Sequence, residues 1–420
     1  MNQQNNWDWD IGEKRISIAE WEDAYIWVEE FQVSVDGEKI AAIVNMDEKK
    51  FSVRMNENLW DSCFDKIWNL CFLPDGRLAA LVSTDSEWTV AVDGTEWENR
   101  FDYLWNLQYG RDGKNLAAAF QSDMQYGMVR NDIPWERTYN NITETTLSPD
   151  GKRTAASVQT TSMNEGEIEK FAAGIYTAAL DGRAWDKNFV NVWKIIFSPD
   201  TQSLAAEIRL NRSDYTIAVD GIPWNRHFNA VWEPCFNPLT GSVTAPVRIG
   251  SLWGLAENGN IIWSNRFVQL WHHLYSPDSK KIAAIVAENF GKWTIAIDGK
   301  PWRIRFDELV IEPVFSPDSK HIAVIIKDRG KWSLAVDGKV WEKRVDMIWR
   351  PVFSPDSRCI AVKAELEGGY TYLLNGRLWK NIYKAAWDPI FSPSGEKILL
   401  RYLEDGSYCR KIISINDFLQ

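Results

Sequence analysis

One short phrase recurs along this chain with a period of about 39 residues, and this repeat limits the fold more than any other feature. The phrase reads KWTIAIDGKPW at 292–302, EWTVAVDGTEW at 87–97 and KWSLAVDGKVW at 331–341. A second phrase, FSPDSKHIAVII, has a turn residue whose counterparts are Asp36, Asp75, Asp112, Asp150, Asp200, Leu239, Asp278, Asp318, Asp356 and Ser394. Their intervals are 37 to 40 residues, apart from one of 50. Ten copies therefore occupy the chain.

Each copy carries the signals of short strands joined by tight turns. An Asp-Gly pair follows an apolar run of strand length, and both residues tolerate the positive φ of a type I′ hairpin turn. Pro-Asp followed by Gly or Ser marks a second tight turn. Side chains alternate with period two and no long stripe of period 3.6 occurs, which excludes a helical solenoid. Four strands in about 40 residues predict an all-β fold, a β-propeller of ten blades.

Ten blades exceed the usual number of about four to eight. Because no Pro-, Gly- or Ser-rich linker interrupts residues 190–235, we expect one large ring, with two five-bladed propellers as the alternative. The 50-residue interval contains an insertion at 160–171, which we place between the second and third strands of the fourth copy. The last copy is about one strand short of a blade. We predict that a strand from an N-terminal extension, residues 1–30, completes the propeller of residues 31–420 and covers its edge.

The chain contains 24 tryptophans, many of them at repeated positions. We expect the rings that follow the Asp-Gly turn to wedge between neighbouring blades, because a buried aromatic side chain removes roughly 150–250 Å² from water. Alanines in the facing strands leave room for them. These predicted packing residues are Trp60, Trp97, Trp135, Trp185, Trp224, Trp263, Trp302, Trp341 and Trp379. Another ring often follows eight residues later, as in Trp105 and Trp232.

A pair of tryptophans lies close to the start of the sequence, ahead of the repeats. Trp7 and Trp9 lie in the sequence WDWD, where acidic residues flank both rings. An exposed aromatic pair of this kind is a candidate partner-binding element, and a clasp on the propeller itself is the alternative.

Composition and charge restrict the partners. A net charge of −11 without a cluster of Lys and Arg opposes nucleic-acid binding, which depends on neutralising phosphates. No apolar run reaches the roughly 18 residues that a membrane-spanning helix needs. The polar, acidic start of the sequence differs from a secretion signal. Five cysteines without a C-x-x-C pair indicate reduced thiols. We therefore expect a cytoplasmic protein without direct membrane insertion.

The sequence offers little for catalysis. His272 and His273 are adjacent, so in a strand they point to opposite faces, while His227 and His321 stand alone. No nucleophile elbow, zinc-protease motif, P-loop or dinucleotide-binding fingerprint occurs. We therefore predict no enzyme and name no catalytic, cofactor-binding or metal-binding residue. A polar cluster in the central channel, which the sequence cannot assemble, would favour an enzyme instead.

The FSPDG-K-x-I-A phrase resembles TolB-type and WD-type β-propeller repeats over almost all of residues 31–420. More narrowly, WDWDIGEKRISIAEW at the start, with the DG-x-x-W and W-x7-W signatures, is similar to the TmcD-like tryptophan-rich subunits of the Tmc transmembrane electron-transfer complex of sulfate-reducing bacteria.

The narrower resemblance implies a non-catalytic scaffold, an accessory subunit of a respiratory complex, at the inner face of the cytoplasmic membrane. Its partners would be cytochrome b, iron–sulfur and cytochrome c subunits, and the chain itself would hold no redox centre. The competing hypothesis is a carbohydrate or small-ligand binder, in which exposed tryptophan rings stack on sugar faces.

Overall fold

The computed structural model describes residues 3–48, 50–164 and 166–419. Its strands form ten small sheets in a ring, a ten-bladed β-propeller. This confirms the fold that the repeat predicts.

A 3-10 helix and two further elements precede the first blade: Gln3–Asn6, β1 (Gly12–Ser17) and α1 (Ala19–Ala24). Blade 1 comprises β2 (Trp27–Val33), β3 (Ile40–Asp47), β4 (Lys50–Met55) and β5 (Asn58–Leu59). Blade 2 comprises β6 (Lys66–Phe72), β7 (Leu78–Thr84), β8 (Glu87–Val92) and β9 (Thr95–Glu96). Blade 3 comprises β10 (Tyr103–Tyr109), β11 (Leu116–Ser122), β12 (Gln125–Arg130) and β13 (Ile133–Pro134). Blade 4 comprises β14 (Ile142–Leu147), β15 (Thr154–Gln159), β16 (Tyr176–Leu180) and β17 (Arg183–Ala184), with α2 (Ile168–Ala173) between β15 and β16. Blade 5 comprises β18 (Asn191–Phe197), β19 (Leu204–Arg209), β20 (Tyr215–Val219) and β21 (Ile222–Pro223).

The remaining blades follow the same plan, and two of them have a divided first strand. Blade 6 comprises β22 (Ala230–Val231), β23 (Cys235–Phe236), β24 (Val243–Ile249), β25 (Leu252–Glu257) and β26 (Asn260–Phe267). Blade 7 comprises β27 (Gln269–Tyr275), β28 (Ile282–Asn289), β29 (Lys292–Ile297) and β30 (Lys300–Pro301). Blade 8 comprises β31 (Leu309–Phe315), β32 (Ile322–Asp328), β33 (Lys331–Val336) and β34 (Lys339–Val340). Blade 9 comprises β35 (Met347–Ile348), β36 (Val352–Phe353), β37 (Ile360–Leu366), β38 (Gly369–Leu374) and β39 (Arg377–Leu378). Blade 10 comprises β40 (Ala385–Phe391), β41 (Lys397–Glu404) and β42 (Ser407–Ser414), and α3 (Ile415–Leu419) follows it.

The chain divides into two compact units, each described by itself below. Unit 1 comprises Met1–Ala41 and Phe267–Gln420, and unit 2 comprises Ala42–Arg266. In both, successive strands of a blade pair antiparallel, as in blades 3 and 8, and in blades 6 and 9 both pieces of the divided first strand pair with the same second strand. The insertion between β15 and β16 lies where the sequence predicts it.

The Asp-Gly turns have the predicted type I′ backbone. In blade 2 of unit 2, Asp93 and Gly94 have φ values of 48° and 82°. The carboxylate of Asp93 also accepts a hydrogen bond, 2.9 Å long, from the backbone N–H of Leu78 at the start of β7. Asp or Asn is therefore favoured at this position for two reasons. It tolerates the left-handed backbone region, and its side chain accepts a hydrogen bond from the neighbouring strand.

The Ser-Pro-Asp turns are fixed by their own side chains. In blade 4, the hydroxyl of Ser148 donates to the carboxylate of Asp150 at 2.6 Å, and the same carboxylate accepts from the N–H of Lys152 at 3.1 Å. These bonds, the serine hydroxyl foremost, hold the pKa of Asp150 below its usual value. The carboxylate of Asp150 thus stabilises the turn.

The hydrophobic core lies between neighbouring blades. One cluster of unit 2 contains Ala117 of blade 3 together with Ala156 and Ala179 of blade 4, and Trp135 lies among them. The indole N–H of Trp135 donates to the hydroxyl of Thr154 at 2.8 Å. Small side chains on the second and third strands thus make room for a large ring at the seam.

Two features of the Asp-Gly turn require its glycine: the positive φ, and the close approach of a tryptophan ring from the preceding blade. Gly182 has a φ of 79°, and a β-carbon there would lie 3.2 Å from Cγ of Trp135. Gly94 stands in the same relation to Trp60, and Gly221 to Trp185. In unit 1, Gly376 lies against Trp341 in the same way. The tryptophan of one blade therefore packs on the turn glycine of the next.

Replacing Gly182 by alanine should lower the free energy of unfolding by about 2–4 kcal/mol, because backbone strain and crowding of the indole add. Gly76 is the matched control: its φ is 86°, but a β-carbon there would meet nothing within 4 Å. Gly76→Ala should therefore cost only the backbone term of about 1–2 kcal/mol. Denaturant unfolding of both variants measures the difference, and equal losses would show that the indole contact contributes nothing.

The N-terminal segment completes blade 10 of unit 1, as predicted. β1 pairs with β42 along six residues, from Gly12 opposite Ile412 to Ser17 opposite Ser407. Buried side chains reinforce this end of unit 1: the hydroxyl of Tyr408 donates to the carbonyl of Gly37 at 2.8 Å, and the guanidinium of Arg401 donates to the carbonyl of Ser34 at 2.9 Å. The added strand covers an edge of β42 that would otherwise be open.

Candidate functional site

Aromatic side chains of the first and third strands of blades 2 and 3, in unit 2, lie near the hairpin turns that connect second strands to third strands. In blade 2 this turn contains Asp85 and Ser86, both with positive φ, and in blade 3 Asp123 and Met124 take the same conformation. A carboxylate ahead of each first strand fixes the turn: Asp65 accepts from the N–H of Asp85, and Asp102 from that of Asp123, both at 2.8 Å. Both turns are therefore tied by a side chain to the start of the first strand of their own blade.

An aromatic row, defined here as Trp68, Trp88, Tyr103, Trp105 and Tyr126, runs across blades 2 and 3. The centroids of Trp68 and Trp88 are 4.4 Å apart, and Tyr103 meets both edge-on at 6.2 and 5.9 Å. Tyr103 also stacks on Trp105 at 5.7 Å, and Trp105 meets Tyr126 at 6.3 Å. All spacings lie within the range of about 4.5–7 Å typical of aromatic pairs, or just below it. The row is continuous from one blade to the next.

The row combines exposed and buried rings. Trp68 is 40% exposed and Tyr103 is 41% exposed, whereas Trp88 beneath them is buried. A cleft of about 360 Å³ is lined by Tyr103, Trp105, Gln121 and Tyr126. In the part of the chain that the structure describes, the side-chain amide of Gln121 has no hydrogen bond. The surface thus offers flat apolar faces beside a free amide.

Three further blades carry a pair of rings at the matching place. In unit 2, Trp232 stacks on Trp253 at 5.4 Å, and Trp232 is 40% exposed. In unit 1, Trp271 lies 4.6 Å from Trp293. The row in blades 2 and 3 is longer because Tyr103 links the pair of one blade to that of the next.

Trp7 and Trp9 lie in unit 1 and stack on each other at 6.0 Å, both half-buried. The indole N–H of Trp9 donates to the carbonyl of Gln4 at 3.0 Å. Lys397 of β41 donates to the carbonyl of Trp9 at 2.7 Å. The segment is therefore held against blade 10, and a role for these two rings in partner binding stays a prediction.

None of the nine tryptophans after the hairpin turn is exposed. Five are buried, namely Trp60, Trp135, Trp224, Trp263 and Trp379. The other four are half-buried, namely Trp97, Trp185, Trp302 and Trp341.

No protein-family model matches the chain, and no curated protein matches it. Among solved structures, one described as the crystal structure of the eukaryotic initiation factor is similar, with 12% sequence identity and a TM-score of 0.47. The similar region covers 76% of this chain and 90% of that chain.

A buried carboxyl group is the polar feature that the sequence did not reveal. Glu207, on β19 of unit 2, is 7% exposed. Burial, with the nearby charges of Glu233 and Glu144, raises its pKa to about 8, while Lys194 acts in the opposite direction. Glu207 is therefore largely protonated at neutral pH. No signal in the repeat marks it, because the carboxylates come from three different blades.

The described residues contain no group of three or more His, Cys, Asp or Glu side chains placed to hold a metal ion. Within the same residues, no helix is both long and apolar enough to cross a bilayer.

Proposed function

We propose that the protein is a non-catalytic interaction scaffold and that the aromatic row is its docking surface. The observation that carries this proposal is the pair of exposed rings, Trp68 on β6 and Tyr103 on β10, which pack against the buried Trp88. Tryptophan and tyrosine dominate the binding energy of protein interfaces. A preorganised aromatic surface loses little conformational entropy when a partner binds.

More specifically, we propose an accessory subunit of a membrane-bound respiratory electron-transfer complex, working from the cytoplasmic side. The support is the resemblance of WDWDIGEKRISIAEW and of the DG-x-x-W and W-x7-W signatures to TmcD-like subunits. On this proposal the partners are cytochrome b, iron–sulfur and cytochrome c subunits of sulfate respiration, and this chain supplies protein contacts rather than a redox centre.

Affinity capture from native membranes, with the tagged full-length chain as bait, tests both the docking surface and the membership of a respiratory complex. We expect recovery of haem and iron–sulfur subunits with the wild type. The double variant Trp68→Ala, Tyr103→Ala should recover at least tenfold less, since each interface hot spot contributes about 2 kcal/mol or more. Its melting temperature should stay within a few degrees of the wild-type value, because both rings are exposed.

Trp232→Ala is the matched control, since this ring is equally exposed but lies outside the aromatic row. It should leave capture unchanged. Recovery of the bait alone would contradict membership of a redox complex. Specific partners that bind the double variant as well as the wild type would contradict the assignment of the docking surface.

Carbohydrate binding is the second candidate function, and the cleft beside Trp105 favours it. Aromatic rings beside the free amide of Gln121 could stack on a sugar ring and bond its hydroxyl groups. Retention on immobilised oligosaccharides that is lost in Gln121→Ala at an unchanged melting temperature, and lost in Trp105→Ala while that variant remains folded, would support this function. Equal retention by both variants would exclude the cleft as a sugar site.

A further inference from the structure

A second cleft in unit 2 is rich in positive charge although the whole chain is acidic. It has a volume of about 780 Å³ and lies where the ends of β12 and β13 meet those of β16 and β17. Its basic lining residues are Arg130, Arg137, Lys152, Arg153 and Arg183. Glu136 and Asp181 are the only carboxylates among the lining residues that the structure describes. Cations therefore outnumber carboxylates by five to two.

Several of these cations have no ion-pair partner among the residues that the structure describes. Arg153 pairs with Asp181 at 3.2 Å, and the guanidinium of Arg137 lies 5.2 Å from the ring centre of Tyr139. Across the residues that the structure describes, Arg130, Lys152 and Arg183 have no ion-pair partner within 4 Å. Lys152 does interact electrostatically with the nearby Asp150 and helps to lower the pKa of that carboxyl group. Arg130 and Arg183 are thus the cations of the cleft whose charge is least compensated by the described residues.

The repeat shows that the fold does not need the arginine at position 130. Arg130 is the last residue of its third strand, directly before the hairpin turn. The other blades with this turn carry Met55, Val92, Leu180, Val219, Glu257, Ile297, Val336 and Leu374 at the same place. Since apolar residues fill this position in seven other blades, the blade fold does not require a charged side chain there.

From this geometry we propose that the cleft binds a small anion carrying two or more phosphoryl groups. Planar guanidinium groups match phosphate oxygens in bidentate fashion, and several charges on one ligand can engage several of these side chains together. The volume lies within the range of about 300–1,000 Å³ usual for small-molecule sites. Ile133, Pro134 and Trp185 line the same cleft and offer apolar contact to the rest of such a molecule.

Short-range contacts must provide this binding, because the net charge of −11 repels anions at longer range. At an ionic strength of 0.15 M that repulsion is screened beyond about 8 Å. Local cations therefore decide the outcome, and affinity should fall as salt is raised.

Isothermal titration of the full-length protein with tripolyphosphate, ATP and orthophosphate at constant ionic strength tests the proposal. We expect saturable binding of one tripolyphosphate or ATP per chain, at least tenfold tighter than orthophosphate. The double variant Arg130→Val, Arg183→Ile removes two of the cations. It introduces the residue types that other blades carry at the matching positions, as at Val92 and Ile222. This variant should bind tripolyphosphate at least tenfold more weakly while its melting temperature without ligand stays within a few degrees.

Lys300→Ile, Lys339→Ile is the control of equal charge. Both lysines are exposed at the position equivalent to Arg183 in other blades, so this variant should bind as the wild type does. If both double variants bound tripolyphosphate equally weakly, the loss would be an effect of net charge alone, and the proposed site would be wrong. No saturable binding at millimolar tripolyphosphate would also overturn it. If a hexaglutamate peptide bound more tightly than tripolyphosphate, the proposal that the ligand carries phosphoryl groups would be wrong.

Discussion

Replacement of Trp135 by alanine is expected to lower the free energy of unfolding by about 3–5 kcal/mol. The ring is 8% exposed and lies among Ala117, Ala156 and Ala179. These short side chains cannot move far enough to fill the space that an indole would leave. The hydroxyl of Thr154 would also lose the hydrogen bond that the indole N–H donates.

Denaturant unfolding of two further variants separates these contributions. Trp135→Phe keeps a ring but removes the N–H, so it should recover more than half of the lost stability. Trp232→Ala removes an indole that is 40% exposed and should cost much less, about 1–2 kcal/mol. If Trp135→Ala and Trp232→Ala destabilise the protein equally, the seam rings are not the main source of cohesion between blades.

The fold could be predicted from the sequence because its turns demand particular residues. A type I′ turn needs positive φ at two successive residues, and Asp93 with Gly94 meets that demand at little cost. The same requirement recurs from copy to copy. One copy with an unusual turn residue, Leu239 in place of Asp, therefore does not hide the period. The closing strand could be predicted because the last blade would otherwise have an open edge.

The aromatic row could not be predicted, although four of its five residues lie at repeated positions. The first strands of blades 2 and 3 contain an irregularity after Trp68 and after Trp105, where Asn69 and Asn106 both have a φ of 55°. Such a bulge interrupts the alternation on which a sequence-based assignment of faces depends. Tyr103 has no counterpart in the repeat, and it is the residue that joins two blades into one row.

Stability should fall with rising pH because of Glu207. Its pKa is raised from 4.5 to about 8 in the folded protein, so between these values the folded state holds a proton that the unfolded state has released. Folding is then favoured at low pH, and this contribution is lost as pH rises towards 8. At about 1.4 kcal/mol per pKa unit, the full loss has a ceiling of about 4–5 kcal/mol.

Glu207→Gln should abolish this dependence, because the amide stays neutral at every pH. The variant and the wild type should have similar melting temperatures near pH 4.5, and the variant should be more stable by several degrees at pH 9. Glu144→Gln removes one of the charges that raise the pKa of Glu207, so it should move the loss of stability to lower pH. Glu87→Gln, on an exposed residue, should leave the profile unchanged. Parallel pH profiles for Glu207→Gln and the wild type would mean that Glu207 is already ionised at neutral pH, and that Lys194 outweighs burial and the neighbouring carboxylates.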